Sequence, residues 1–428
     1  MGEKGIVTAE HIFAKARIFS EGARISGMDM PPFKQGLAAS AKTRPQDDQA
    51  AGPGPKFAPE QIEQIWKVAC QTMEASARES KPSSATRFTF DDSELTTFVH
   101  ANKYSRLLLT QEGDRVTVTD GDEVVVSGYA PKRFDWLHEK VSNGLPVTTF
   151  LPGISDEIIN IIFYLSCNNY NTGRGCRYCN LFANPLSKIS SVFPLDIQKS
   201  WAKYQAEAIK IALDHGWNGH LALSGGALPP SVRGNYLDYI NISLDALRDE
   251  VGEKTFRELN IVYNHYPPEN FEDMSDWKEF GIKRTTIDLE VMDPAYFPAI
   301  CPGKAAYKPL EYWKKAQEAS VRVFGPFANS TGNVILGLEP MSKLLDGVEE
   351  RLSKGVMPRP VIFCSAPHSE YWGFRPPTAD WIFEATERMA DTFMKYIKPV
   401  PMDAAGPTIL VFDMIKHKAQ ARGCLIRS

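Results

Sequence analysis

The residue types best able to do chemistry in this chain lie close together. Cys167, Cys176 and Cys179 are three of its seven cysteines, within thirteen positions and separated by gaps of eight and two residues. Cysteines so near one another are poorly placed to bridge among themselves, whereas a set of soft thiolates on one loop suits an iron–sulfur cluster or zinc. Three thiolates would leave one iron of a [4Fe–4S] cluster without a protein ligand, and an open metal position is where chemistry can be done. Zinc, completed by a distant ligand such as His215 or His265, is the alternative.

The elements that must position these cysteines begin with the apolar run 158–165, which leads straight into Cys167. It is the first of six strand-like segments, the others being 220–224, 259–263, 284–290, 333–338 and 360–364. Helix-like segments fall at 198–213, 243–248, 274–280, 307–320, 341–354 and 378–396. Strand followed by helix, repeated, requires a parallel sheet with crossover helices. The expected fold class is therefore α/β, a partial (β/α)6 TIM-type barrel with its functional groups at the C-terminal ends of the strands.

A small N-terminal α+β module precedes the barrel. Its strands are expected at 87–90, 107–110, 116–119 and 124–127, with Gly113 and Gly121 in the turns and a closing helix near 132–141. An amphipathic helix from Pro59 places Ile62, Ile65, Trp66, Ala69, Cys70 and Met73 on one face. Residues 37–55 carry too little apolar content to fold on themselves and read as a linker. The predicted plan is a largely flexible segment and linker over 1–58, the small module over 59–145, the barrel over 146–400 and a C-terminal extension over 401–428.

The cysteine loop and the six-fold repeat together resemble the radical S-adenosylmethionine (SAM) enzymes. In that family three cysteines follow the first barrel strand, most often with three residues in the first gap, two in the second, and an aromatic residue before the last cysteine. Here Arg177-Tyr178 fits the second gap, while the first gap is longer than the common pattern. Ser224-Gly225-Gly226-Ala227 resembles the Gly-Gly-Glu motif whose backbone holds the amino group of SAM, with Ala227 in place of the acid. Strand alternation puts Asp288 and Glu290 on one face, where the biotin- and thiazole-synthase-like branch, the nearest in pattern, binds the SAM ribose. A salt bridge from Glu290 to Lys283, Arg284 or Arg322 is the plainer reading. Gly337 and Glu339 resemble the strand beside adenine. His265 and Tyr266 after the third strand, and His368, Tyr371 and Arg375 after the sixth, are candidates for a substrate pocket.

The resemblance implies a [4Fe–4S] cluster held by Cys167, Cys176 and Cys179, with SAM on the open iron. It also implies an external one-electron donor such as flavodoxin or ferredoxin. Reductive cleavage would give a 5′-deoxyadenosyl radical that abstracts hydrogen from a small-molecule, amino-acid-like substrate, leading to rearrangement, lyase or group-transfer chemistry. Two alternatives stand beside it: a zinc-dependent barrel hydrolase or lyase whose metal is held by the three cysteines and one histidine, and a non-catalytic iron–sulfur electron carrier. A net charge of −4 without a basic stripe argues against a nucleic-acid surface and for a small molecule or short acidic peptide as partner. The sequence has no apolar stretch long enough to span a membrane and no secretory signal, so a cytoplasmic location is expected.

Overall fold

Two six-stranded sheets organise the computed structural model. The structure describes residues 5–26, 87–93, 95–131, 134–151, 153–164, 166–180, 194–228, 236–366, 369–398 and 409–422, with the isolated positions 64, 67 and 68. The N-terminal sheet comprises β1 (Arg24–Ile25), β2 (Arg87–Phe90), β3 (Thr96–Phe98), β4 (Leu107–Glu112), β5 (Arg115–Asp120) and β6 (Glu123–Tyr129), in the order β1-β4-β5-β6-β2-β3. Pairing of Glu112 with Arg115 and of Asp120 with Glu123 leaves Gly113-Asp114 and Gly121-Asp122 as two-residue hairpin turns, as read from the sequence. The strands 107–112, 115–120 and 123–129 extend the predicted ones, while β1 and β3 were not foreseen. In place of the helix expected near 132–141 there is one 3-10 turn, Asp135–His138.

The second sheet carries the six predicted barrel strands: β7 (Ile158–Tyr164), β8 (His220–Gly225), β9 (Asn260–Asn264), β10 (Ile282–Thr286), β11 (Phe327–Leu336) and β12 (Val356–Ile362). They run parallel in chain order, with β7 and β12 as the edges, so the barrel is partial and open. Pro358 and Pro360 fit β12 because an edge strand can omit ladder donors. β11 starts six residues earlier than its apolar run, since Ser330 and Thr331 are buried with their hydroxyls bonded to the carbonyls of Gly325 and Thr285. The regular ladder of β10 ends at Thr286, not Glu290. Beyond it the chain follows β11 through Ile287 N–H to Thr331 O and Glu290 N–H to Asn333 O.

The longer helices are α1 (Ala9–Glu21), α2 (Pro194–Asp214), α3 (Tyr236–Val251), α4 (Asp273–Phe280), α5 (Leu310–Phe324), α6 (Met341–Ser353), α7 (Ala379–Tyr396) and α8 (Leu410–Ala421). The expectation of a largely flexible 1–58 fails over 5–26. Thr8 and His11 form a reciprocal capping box for α1, whose Ile12, Ala16, Ile18 and Phe19 are buried. Lys15 reaches Asp413 on α8 at 2.6 Å, and Phe13 meets Phe383 on α7 at 5.9 Å between ring centres. These partners stand far along the chain, so local composition could not announce them. The linker at 37–55, the amphipathic face of the helix from Pro59 with its Cys70, and Cys424 lie outside the described residues. Among the described residues no helix is long and apolar enough to cross a membrane.

Candidate active site

Cys167 follows β7 in an extended conformation and begins the helical turn Asn168–Asn171. Its sulfur accepts the Ala227 N–H at 3.4 Å, and Asn168 N–H donates to the Ala227 carbonyl at 2.7 Å. The loop after β7 is thereby stitched to the Gly225-Gly226-Ala227 turn after β8. Gly226 makes this approach possible, because a Cβ there would lie 2.0 Å from the Ser166 carbonyl oxygen and 2.6 Å from Cys167 Cβ. Ser224 is half-buried at the end of β8, and Gly225 passes beside the Tyr164 amide. Further along the loop, Cys179 N–H donates to Cys176 O at 3.1 Å, and the Tyr170 hydroxyl donates to the Cys179 carbonyl.

The donor set fits an iron–sulfur cluster. All three cysteines are half-buried on one loop, and an N–H bond to a thiolate sulfur is a contact that tunes such clusters. Burial pushes the Cys167 thiol up, while a hydrogen bond with the Cys301 thiol draws Cys176 below its ordinary value against its own burial, helped by the Lys304 ammonium. Among the described residues no three His, Cys, Asp or Glu converge on a single-ion site. His215 pairs with Glu139 at 2.5 Å, and His265 Nδ1 lies 2.6 Å from the Tyr266 carbonyl, so neither joins the three cysteines to complete a zinc site.

Glu290 occupies the left-handed region with φ +71°, a conformation that non-glycine residues adopt mainly where structure forces it. Its carboxylate meets Lys304 Nζ at 2.7 Å, and Lys304 also donates to the Asp288 carbonyl at 2.8 Å. Both side chains are buried, and Lys304 lies 5.1 Å from the centre of the Trp313 ring. The partner of Glu290 is thus Lys304, not Lys283, Arg284 or Arg322. Burial raises the Glu290 carboxyl against the pull of Lys304; burial also opposes the Lys304 charge, but Glu290 and the nearby thiols hold it above its ordinary value. Tyr178 is half-buried beside this pair, its phenol pushed well up by burial and by the nearby Glu290 charge.

Asp288 is held separately, by Asn264 Nδ2 at 2.7 Å and Asn333 N–H at 2.7 Å. The turn at Glu290 breaks the simple alternation that the sequence suggested. Glu339 accepts the amides of Met292 and Asp293 at 2.8 and 2.9 Å, so both of its oxygens brace the segment after Glu290. Gly337, with φ +97°, passes close to Pro377.

The loop after β12 is tied to the cysteine loop through Arg177. Arg177 N–H and Nε donate to the Ile300 and Ala299 carbonyls at 3.0 Å, its carbonyl accepts Tyr371 N–H at 3.0 Å, and its guanidinium pairs with Glu370. Tyr371 packs edge-on to Phe363 and against Phe374, while Arg375 is exposed. His368 lies outside the described residues. Tyr266 accepts a hydrogen bond from Asn169 Nδ2 at 2.5 Å and so supports the cysteine loop. His265 is packed between Tyr263 and Trp277, and burial lowers its pKa to about 4. Its ring packs among core aromatics with Nε2 buried and unpartnered among the described residues. Sequence reasoning missed Arg177, Asn169 and Lys304 and assigned no role to Cys301, because each gains its partner only from a distant segment.

A three-cysteine loop at the end of the first strand of an open six-stranded parallel sheet defines a class. The chain belongs to the radical SAM enzymes and uses a [4Fe–4S] cluster and SAM. A relative from Chlorobaculum limnaeum, named Bacteriochlorophyllide c C-7(1)-hydroxylase, is 37% identical over 439 residues, covering 99% of this chain and 98% of that protein. The solved structure of methylornithine synthase matches with a TM-score of 0.41 and 11% identity, covering 66% of this chain and 78% of that one. That of the FeFe-hydrogenase maturase HydG from Carboxydothermus hydrogenoformans matches with a TM-score of 0.37 and 14% identity, covering 63% and 59%. No model of a known protein family matches the chain.

Proposed function

We propose that this chain hydroxylates a peripheral carbon of a bacteriochlorophyllide-type tetrapyrrole, drawing on an external one-electron donor such as flavodoxin or ferredoxin. The observation that supports the reading is the end-to-end likeness to the hydroxylase, which takes in the N-terminal sheet as well as the barrel. A tetrapyrrole thus takes the place of the amino-acid-like substrate expected from the branch resemblance.

Cys167, Cys176 and Cys179 would hold the cluster, and the backbone at Ser224, Gly225 and Gly226 with the carboxylate of Glu290 would hold SAM. When bound, cluster and SAM supply the power to abstract a hydrogen atom from an unreactive C–H bond. Lys304 holds the Glu290 carboxylate in place. Arg177 ties the loop after β12 to the cysteine loop, through its carbonyl on Tyr371 N–H and its ion pair with Glu370. In the net change SAM, a substrate C–H and water become methionine, 5′-deoxyadenosine, a substrate C–OH and a proton, which balances without a further oxidant.

The test is anaerobic reconstitution with iron and sulfide, reduction by dithionite, and incubation with SAM and bacteriochlorophyllide c in water enriched in heavy oxygen. The expected result is 5′-deoxyadenosine together with a chlorin one oxygen atom heavier, its label drawn from water, and neither product from Cys176→Ala. Formation of 5′-deoxyadenosine with no change to any chlorin would overturn the substrate class while leaving the enzyme class in place.

A further inference from the structure

A cavity of about 300 Å³ opens where the N-terminal module meets the C-terminal end of β12, lined by Phe19, Phe98, Val99, His100, Val361, Ile362 and Cys364. Its walls are apolar except for one imidazole and one thiol. We propose that this cavity grips one edge of a metal-bearing chlorin and that His100 is the axial ligand of the chlorin's central divalent metal; the inference rests on the tetrapyrrole reading above.

Three observations support it. First, the cavity stands on the catalytic side of the barrel. Cys364 adjoins Ser365, whose hydroxyl donates to the Tyr371 carbonyl at 3.1 Å, and Tyr371 N–H donates to the carbonyl of Arg177, the neighbour of Cys176. A ring seated there is one loop away from the cluster ligands.

Second, His100 is uncommitted. Its Nδ1 has only Cys364 Sγ at 4.0 Å, and among the described residues Nε2 has no hydrogen-bond partner. Gly22, with φ +62°, leaves the ring its room, because a Cβ there would lie 2.6 Å from Nε2. Burial lowers the pKa of His100, which keeps the imidazole in the neutral form that ligates metals.

Third, size and chemistry agree with the occupant. A cavity near the lower end of the ligand-pocket range, about 300–1,000 Å³, takes part of a macrocycle and leaves the rest outside. Phenyl and branched aliphatic walls suit a flat apolar ring, and a lone neutral imidazole suits its metal. Phe98, Val99 and His100 belong to the N-terminal module, so this module would contribute to substrate recognition as well as covering the barrel.

The test is absorption titration of the reconstituted full-length protein with a zinc-substituted bacteriochlorophyllide and with its metal-free counterpart. Wild type is expected to bind the metal form at least about tenfold tighter, the size of one modest added contact. His100→Ala should bind both forms alike, lose the band shift of axial ligation, and regain that shift with added imidazole. Val361→Trp, which fills the cavity, should weaken both forms equally; circular dichroism and iron content would confirm that each variant is folded. A metal preference unchanged in His100→Ala would overturn the assignment of His100 and leave the tetrapyrrole reading standing. Failure of wild type to bind either chlorin would overturn both.

Discussion

Replacing Lys304 with methionine removes the ammonium that meets Glu290 at 2.7 Å and the Asp288 carbonyl at 2.8 Å. Glu290 is only 8% exposed, so without Lys304 its carboxylate is left largely away from water. Removing one partner of a buried ion pair typically costs about 3–5 kcal/mol, because the other charge stays buried without compensation. Lys304→Met should therefore lower unfolding stability by about 3–5 kcal/mol at neutral pH, by the same reasoning. The double variant Lys304→Met/Glu290→Gln removes the stranded charge as well and should recover about 2 kcal/mol or more of that loss.

The pH dependence follows from the direction of the Glu290 shift. Its folded carboxyl is raised by burial, and without Lys304 it is raised further, so the deficit of the single variant should shrink as pH falls and the group takes a proton. Denaturant unfolding of the cluster-free protein under anaerobic conditions, with wild type, both single variants and the double, gives the full cycle. A cost below about 1 kcal/mol for Lys304→Met, or a double variant no more stable than the single, would refute the reasoning, since a buried unpaired charge cannot be that cheap.

Two further predictions concern other parts of the site. Gly226→Ala would place a Cβ 2.0 Å from the Ser166 carbonyl, so the turn must draw away from the cysteine loop; iron content after reconstitution should fall several-fold, and full loading would show that the approach is not needed. The folded pKa of His265, about 4 against an ordinary 6.5, means its contribution to stability is complete above about pH 6.5 and lost as pH falls through about 4, a total of about 3 kcal/mol. His265→Phe, which keeps the stacking between Tyr263 and Trp277, should flatten that acid limb in unfolding titrations; an unchanged slope would assign it to other groups.

The amino-acid sequence by itself determined the class of protein. Ligand spacing is local: three thiols on one loop after an apolar run read as a cluster site without any knowledge of the fold. The six barrel strands were equally legible, because buried parallel strands are written as apolar runs between helical periods. What the sequence withheld were pairings across long separations. α1 fell within a segment expected to be largely flexible, yet Asp413 supplies the partner for its Lys15 and α7 meets it through Phe383. The early start of β11 was hidden by Ser330 and Thr331, which are buried only because carbonyls on neighbouring segments satisfy them.

The same holds at the site. Alternation marked Asp288 and Glu290 as an unusual pair of acids, but which cation answers Glu290 depended on how the short helix Pro302–Tyr307 folds back against the cysteine loop. Arg177 reads in sequence only as a residue between two cysteines, and becomes a clamp once the loop after β12 reaches it. The sequence offered His265 as a pocket candidate but not its packing against Tyr263 and Trp277, and His100 reads as nothing until the N-terminal module closes on β12. A hydrophobic period or a ligand spacing is fixed by neighbours along the chain, whereas the partner of a buried charge, and the walls of a cavity, exist only where distant segments meet.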